Sequence, residues 1–315
     1  MEYKPLGNTG IKVSRLCFGS LTIGPLQANL PVKEGAQVIR HALDAGVNFV
    51  DTAEFYNNYE HIKEGIAGRA SNVVIATKSY AYTREGMRQS IERALRETAR
   101  DYIDIFLLHE QESELTIRGH WDAVEEMLLA KQEGIVRAVG ISTHSVRAVR
   151  AATLVPEFDI IHPLINIKGI GIRDGSVEDM IRAIAEAYQM GKGLYGMKAL
   201  GGGALISSKE EALAFALAVP GLSSFAVGMQ TLSEVDYNIA IFQGRQVEPE
   251  LERAVSSRNR RLHIEDWCCG CGRCMQRCSL GALSLTDGKA SLDSSLCRLC
   301  GYCAGACEEL CIKII

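Results

Sequence analysis

NVVIATKS at residues 72–79 and YIDIFLLH at residues 102–109 decide the fold. In each run the apolar side chains fall on both faces, as in a strand buried on two sides within a parallel sheet. Between them, Arg84–Thr98 spaces its apolar residues as one face of a helix. A buried strand, an amphipathic helix and a second buried strand make one parallel crossover unit. The alternation extends both ways along the chain. Further strands are expected at Arg15–Ser20, Asn48–Ala53, Val136–Thr143, Phe158–Asn166, Gly193–Ala199 and Ser223–Met229, and further helices at Val32–Ala45, His120–Gln132 and Val177–Met190. Gly46, Gly134 and Gly191 stand where helix C-caps belong. Eight such units in about 230 residues match an α/β fold of the (β/α)8 TIM-barrel type, a count that a doubly wound sheet rarely reaches. The opening EYKPLGNTGIKVSRL reads as a hairpin turning at Asn8–Thr9–Gly10.

Composition narrows the class. The 315 residues are 47% hydrophobic and 23% charged, with a net charge of −4, which describes a soluble globular chain. That charge gives no electrostatic basis for binding nucleic acid or a membrane surface. No apolar run approaches the roughly 18 residues of a membrane span, and the start lacks the plan of a signal peptide. Apart from Cys17, no cysteine precedes Cys268, unlike a secreted disulfide protein. The expected location is the reducing cytoplasm.

Eight of the eleven cysteines fall in the last 48 residues as two copies of Cys-x2-Cys-x2-Cys-x3-Cys. This is the ligand spacing of a [4Fe–4S] cluster, and in two-cluster proteins the fourth cysteine of each run ligates the other cluster. The expected sets are therefore Cys268, Cys271, Cys274 and Cys307 for one cluster, and Cys297, Cys300, Cys303 and Cys278 for the other. Disulfides and paired zinc sites are the alternatives, but zinc ribbons use two Cys-x2-Cys pairs. Cys269 and Cys311 lie outside the spacing and read as incidental or buried thiols. Ser279 and Glu308 follow the fourth cysteines, where bacterial ferredoxins usually carry proline. ALSLTDGKASL between the runs reads as a hairpin turning at Asp287–Gly288. The expected domains are a barrel at 1–246, a linker at 247–260, and a small α+β ferredoxin-like iron–sulfur domain at 261–315. The last has six Lys/Arg and six Asp/Glu, so it lacks the acidity often used to dock redox partners.

Catalytic groups of such a barrel belong at the C-terminal ends of its strands. Asp51 and Tyr56 lie there in DTAEFYNNYE, Lys78 in VVIATKS and His109 in IDIFLLHE. DTAxxY, TK and LLH at three consecutive strand ends resemble the aldo-keto reductase family over residues 2–245. A carbonyl receiving hydride becomes negative at oxygen and needs a proton donor. Tyrosine has an ordinary pKa near 10, and a neighbouring cation lowers it. The resemblance implies Tyr56 as donor, Lys78 as that cation, Asp51 as its counter-ion, and His109 as the group orienting substrate oxygen.

The resemblance also implies NAD(P)H across the barrel mouth. GKGLYG at 191–196 matches a dinucleotide fingerprint but follows a helix and enters a strand, the reverse of the required context. Ser142 falls where the family contacts the nicotinamide carboxamide, Thr143 replaces the usual asparagine, His162 the usual glutamine, and Asn166 follows. Met197 takes the place of an aromatic residue that often stacks on the nicotinamide. Lys198 and Gly201–Gly203 could approach a pyrophosphate. In GMQTLSEVDYN, Asn238 matches the adenosine-phosphate clamp, whereas Gly228 and Glu234 replace the basic residues that hold a 2′-phosphate, which favours NADH over NADPH.

Nicotinamide passes two electrons as hydride and a cluster passes one, so direct exchange between them needs a mediator such as a flavin or a radical-stabilising substrate. The expected function is an iron–sulfur oxidoreductase that reduces a carbonyl or related unsaturated small molecule, with electrons from NAD(P)H, the clusters or both. A redox sensor or electron-relay subunit whose barrel only binds nucleotide is the alternative. A redox partner protein is compatible with either.

Overall fold

The computed structural model describes residues 1–257 and 260–315; Arg258 and Asn259 of the expected linker lie outside the described residues. A hairpin of β1 (Tyr3–Pro5) and β2 (Lys12–Ser14) precedes eight parallel strands. These are β3 (Leu16–Gly19), β4 (Phe49–Asp51), β5 (Val74–Ser79), β6 (Ile103–Leu108), β7 (Val136–Thr143), β8 (Ile160–Pro163), β9 (Gly193–Met197) and β10 (Ser224–Gly228). They close into a barrel when β10 pairs with β3, from Phe225 against Leu16 to Gly228 against Gly19. The intervening helices are α1 (Val32–Asp44), α2 (Tyr59–Gly65), α3 (Arg84–Thr98), α4 (Glu114–Gly119), α5 (Trp121–Gln132), α6 (Val146–Thr153), α7 (Val177–Gln189) and α8 (Lys209–Ala218), and α9 (Leu232–Phe242) follows β10.

The burial explains the unbroken apolar runs. Alternate residues Phe49, Ala76, Ile105, Leu107, Ala138, Ile160 and Tyr195 point into the barrel, where Leu6, Ile11 and Val13 of the hairpin plug the lower end. Their neighbours Val50, Ile75, Phe106, Val139, Ile161 and Leu194 pack outward against the helices. Every residue of β5 and β6 is buried. The expected strands exceeded the observed ones at their ends: Phe158–Asn166 shortens to Ile160–Pro163, with Leu164 retaining only a bridge to Met197. Staggered strands in a closed barrel leave ends unpaired, and an apolar pattern cannot report that.

The remainder begins with α10 (Pro249–Ser256), which packs against α9. β11 (Leu262–Ile264) pairs antiparallel with β14 (Ile312–Ile314), and β12 (Leu283–Thr286) with β13 (Lys289–Leu292). Two short helices, α11 (Arg273–Arg277) and α12 (Tyr302–Gly305), follow the cysteine loops. Asp287 and Gly288 both have positive φ, 50° and 75°, as a two-residue hairpin turn requires. The core of this unit is small: Leu262, Cys274, Leu283, Cys303, Ala304 and Ile312. It docks on the loop after β9. A Cβ on Gly203 would lie 2.4 Å from the carbonyl oxygen of Ile314, so only glycine admits the strand there. Among the described residues no helix is long and apolar enough to cross a membrane.

Candidate active site

Strand ends place the charged groups. Asp51 ends β4, Lys78 is the penultimate residue of β5, and His109 follows β6. Tyr56 closes a 3-10 turn, Glu54–Tyr56, that is pinned from both sides. Glu54 accepts from the hydroxyls of Ser79 and Ser90, each at 2.8 Å, and Thr52 donates to Asn58, whose amide reaches the Ser20 carbonyl at 2.8 Å. The Lys78 ammonium is 1% exposed and donates to Asp51 Oδ1 at 2.8 Å and to the Thr52 carbonyl at 2.7 Å. It lies 5.2 Å from the centroid of the Tyr56 ring, whose edge meets His109 at a centroid distance of 5.9 Å. The four residues therefore converge.

Two further aromatic groups complete the floor: His162, expected as a nucleotide contact, and Tyr195, which the sequence analysis overlooked. Tyr195 donates its hydroxyl to Asp51 Oδ2 at 2.9 Å. His162 stacks on Tyr195 with ring centroids 3.8 Å apart and donates from Nδ1 to the Tyr195 carbonyl at 2.6 Å. The inward position of Tyr195 on β9 was readable from strand alternation; its bond to Asp51 was not.

The electrostatics correct one expectation. Lys78 directs two of its three donors to Asp51 and Thr52, and burial followed by the carboxylates of Asp51 and Glu110 pushes the Tyr56 phenol well above its ordinary pKa. The phenol stays protonated instead of being drawn towards phenolate. Burial, then Lys78, pushes His109 well below the usual imidazole value, so it is neutral, and its buried Nδ1 has no hydrogen-bond partner among the described residues. Burial lowers His162 to about 4 and His144 to about 3. Glu110, 3.6 Å from His144, is lowered to about 2, against its own burial, chiefly by His144 and His109. Burial and Lys313 lower Lys198 to about 8.

A cleft of about 1020 Å3, counting its open mouth, joins Asp51 and Tyr56 to His162, Met197, Lys198 and Glu234. Other expected nucleotide contacts sit outside its lining, on backbone duties. Ser142 accepts from the Glu110 amide, Thr143 donates to the Gln111 carbonyl, Asn166 ties its own loop through Ile170, and Asn238 donates to the Glu234 carbonyl. Gly202 and Gly203 line the cleft, but Gly203 also receives β14. Gly228 and Glu234, expected in place of basic residues at the adenosine end, both line the cleft, but Arg260 lines it too, with Nη2 3.7 Å from Glu234 Oε1. Lys313 and Ile314 of β14 form another part of the wall. No local signal in the sequence announces that these tail residues reach the barrel mouth.

The cysteines sort into two groups. One cavity is lined by Cys268, Cys271, Cys274 and Cys307, with Cys269 and Cys311 beside them; a second is lined by Cys278, Cys297, Cys300 and Cys303. All eleven cysteines are free thiols. Backbone amides donate to sulfur at Cys268, Cys278, Cys297 and Cys307, at 3.3–3.5 Å. Burial, then Cys307, lifts the Cys311 thiol to about 12, which makes it a poor thiolate. Among the described residues no three His, Cys, Asp or Glu side chains converge as they would around one metal ion. Four thiols spread around a cavity instead suit a group with several corners.

These elements define a parallel-barrel oxidoreductase framework. The Aldo/keto reductase family matches residues 15–212, and the chain belongs to that family. Among relatives, L-galactose dehydrogenase of Arabidopsis thaliana is 25% identical over 288 residues, covering 76% of this chain and 88% of its own. Aldo-keto reductase YhdN of Bacillus subtilis is 27% identical over 183 residues, and the matched part spans 53% of this chain and about half, 54%, of that relative. A Pseudomonas aeruginosa structure assigned to the aldo-keto reductases superimposes with a TM-score of 0.67 at 25% identity, over 77% of this chain and 95% of its own.

Proposed function

We propose that this chain reduces a carbonyl or related unsaturated small molecule at the barrel mouth, with Tyr56 as proton donor, and carries two [4Fe–4S] clusters in its tail. The observation that carries this reading is the convergence of Asp51, Tyr56, Lys78 and His109, of which Asp51 and Tyr56 line a cleft whose wall includes Lys313 and Ile314 of the cysteine-rich tail. When bound, NAD(P)H supplies a hydride and the clusters supply single electrons. Tyr56 keeps its proton until the reacting oxygen becomes more basic than the phenol. Lys78, fixed between Asp51 and Thr52, presents a positive charge that needs no reorganisation as negative charge develops. Neutral His109 offers its unpartnered Nδ1 to orient the substrate. His162, Met197, Lys198 and the Glu234–Arg260 pair are the cleft residues suited to a nicotinamide nucleotide.

Cys268, Cys271, Cys274 and Cys307 would hold one cluster and Cys297, Cys300, Cys303 and Cys278 the other. Four thiols per cavity and amide donors to sulfur favour thiolate ligation. A barrel that merely bound nucleotide as a sensor or relay would have no use for a protonated phenol amid a lysine and a neutral histidine. The decisive experiment is anaerobic purification followed by ultraviolet–visible and EPR spectroscopy with and without NADH. Spectra of two clusters, and loss of carbonyl turnover in Tyr56→Phe with the fold intact, are expected. Cluster reduction by NADH alone would require a bound mediator such as a flavin; iron-free protein or an active Tyr56→Phe would refute the corresponding half of the proposal.

A further inference from the structure

Three aromatic rings stand exposed between the cysteine loops and the barrel site, and of them Tyr80 also donates its hydroxyl to Glu110 Oε2 at 2.6 Å. Trp267, Phe55 and Tyr80 are 43%, 48% and 45% exposed, yet they lie in a line. Trp267 adjoins Cys268 in the chain, and Cys268 lines the first cysteine cavity. Its indole centroid is 6.2 Å from that of Phe55, Phe55 is 6.1 Å from Tyr80, and Tyr80 stacks on His109 at 4.3 Å with ring planes 20° apart. His109 in turn meets the edge of Tyr56. The indole is held in place. Its Nε1 donates to the Glu309 carbonyl at 3.4 Å, and the Lys313 ammonium sits 5.0 Å from the ring centroid. Phe55 is fixed by the same pinned turn that carries Tyr56. Contiguous exposed aromatic surface often marks a functional contact, and these rings neighbour one another between two sites of different chemistry.

We propose that Trp267, Phe55 and Tyr80 form a one-electron path between the Cys268-side cluster and an acceptor at the catalytic end of the barrel. The inference rests on the clusters proposed above. Electron tunnelling decays exponentially with the gap between π systems, so a line of neighbouring rings carries it better than aliphatic chain or water. Nicotinamide takes electrons in pairs; the occupant this path serves accepts them singly, and the class proposed is a quinone. Two reduced clusters each lose one electron, becoming oxidised. Those two electrons and two protons, one from Tyr56 and one from solvent, convert the quinone to a hydroquinone. A low-potential one-electron donor in solution restores the clusters, and solvent reprotonates Tyr56.

The test uses the full chain, reconstituted anaerobically with iron and sulfide, reduced with dithionite and freed of excess. It is mixed with 1,4-naphthoquinone, and loss of the reduced-cluster EPR signal is followed by freeze-quench. Trp267→Ala and Phe55→Ala are expected to slow re-oxidation about tenfold or more, while Trp267→Phe retains most of the rate and cluster midpoint potentials stay unchanged in all three. Equal rates in wild type and both alanine variants would overturn the path and leave the clusters standing. Slowing confined to Trp267→Ala, with a shifted potential, would equally overturn it, because a path through both rings must also respond to Phe55→Ala. Wild-type protein without any reduced-cluster signal would sink the cluster reading and the path together.

Discussion

The barrel and the cysteine-rich tail are built by opposite logics. In the barrel, strands buried on both faces exist before any chemistry, and the site falls where those strands end. Asp51, Lys78 and His109 are held by a framework whose core extends through all eight strands. In the tail, six residues make up the buried core, two of them the cysteines Cys274 and Cys303, and the cysteine loops line the two cavities beside it. There the proposed bound groups bear on the fold itself: without them, one short hairpin, the β11–β14 pair and two helices of five and four residues have little to hold them. The barrel is expected to tolerate loss of its site; the tail, on the cluster reading proposed above, is expected not to.

Iron removal should therefore separate them most sharply. After anaerobic chelation, limited proteolysis is expected to cut within 261–315 while the barrel resists and keeps its circular dichroism; a tail that stays protected would break the contrast. Next in size, Tyr56→Phe should lower turnover by roughly 10²–10⁴ with an unchanged melting temperature, since the hydroxyl serves the cleft and not the core. Asp51→Ala should cost about 3–5 kcal/mol in denaturant titration, because it leaves the Lys78 ammonium buried without its carboxylate. A loss under about 1 kcal/mol would mean that water enters to solvate it.

Acid should probe the same buried floor. His162 and His144 have folded-state values of about 4 and about 3, below the ordinary 6.5, so the unfolded chain binds more protons between pH 6.5 and those values. Stability should be fully present above pH 6.5 and decline as pH falls towards 4 and 3, by on the order of 3 kcal/mol for His162. His162→Gln should flatten that slope; an unaltered pH profile would remove His162 as its source. The smallest effect concerns the nucleotide. Arg260→Ala should weaken NADPH more than NADH, by no more than about 1 kcal/mol for a partly exposed charge, as titration of both nucleotides would measure.

Much of this was legible locally. Runs such as VVIATKS and IDIFLLH carry strand type and two-sided burial together, because a barrel strand has no solvent face. The cysteine spacing likewise limits which three thiols of each run can share a cavity, while the crossing of Cys278 and Cys307 follows from the two-cluster precedent. The tetrad was legible because strand ends are the one place in this architecture where polar side chains stand free of the core. The sense of the Tyr56 shift was not legible, because it depends on burial and on where Lys78 points its donors, not on residue types.

The sequence alone made the barrel, the two cysteine sets and the four polar residues at its strand ends readable, because strand burial, cysteine spacing and strand-end position are each written as local patterns. Only the tertiary structure decided that β14 walls the barrel cleft, that Arg260 comes to Glu234, that Tyr195 clamps Asp51, and that Trp267 lines up with Phe55 and Tyr80. Those contacts join residues far apart in the chain, and their formation depends on shape and desolvation that no short window of sequence contains.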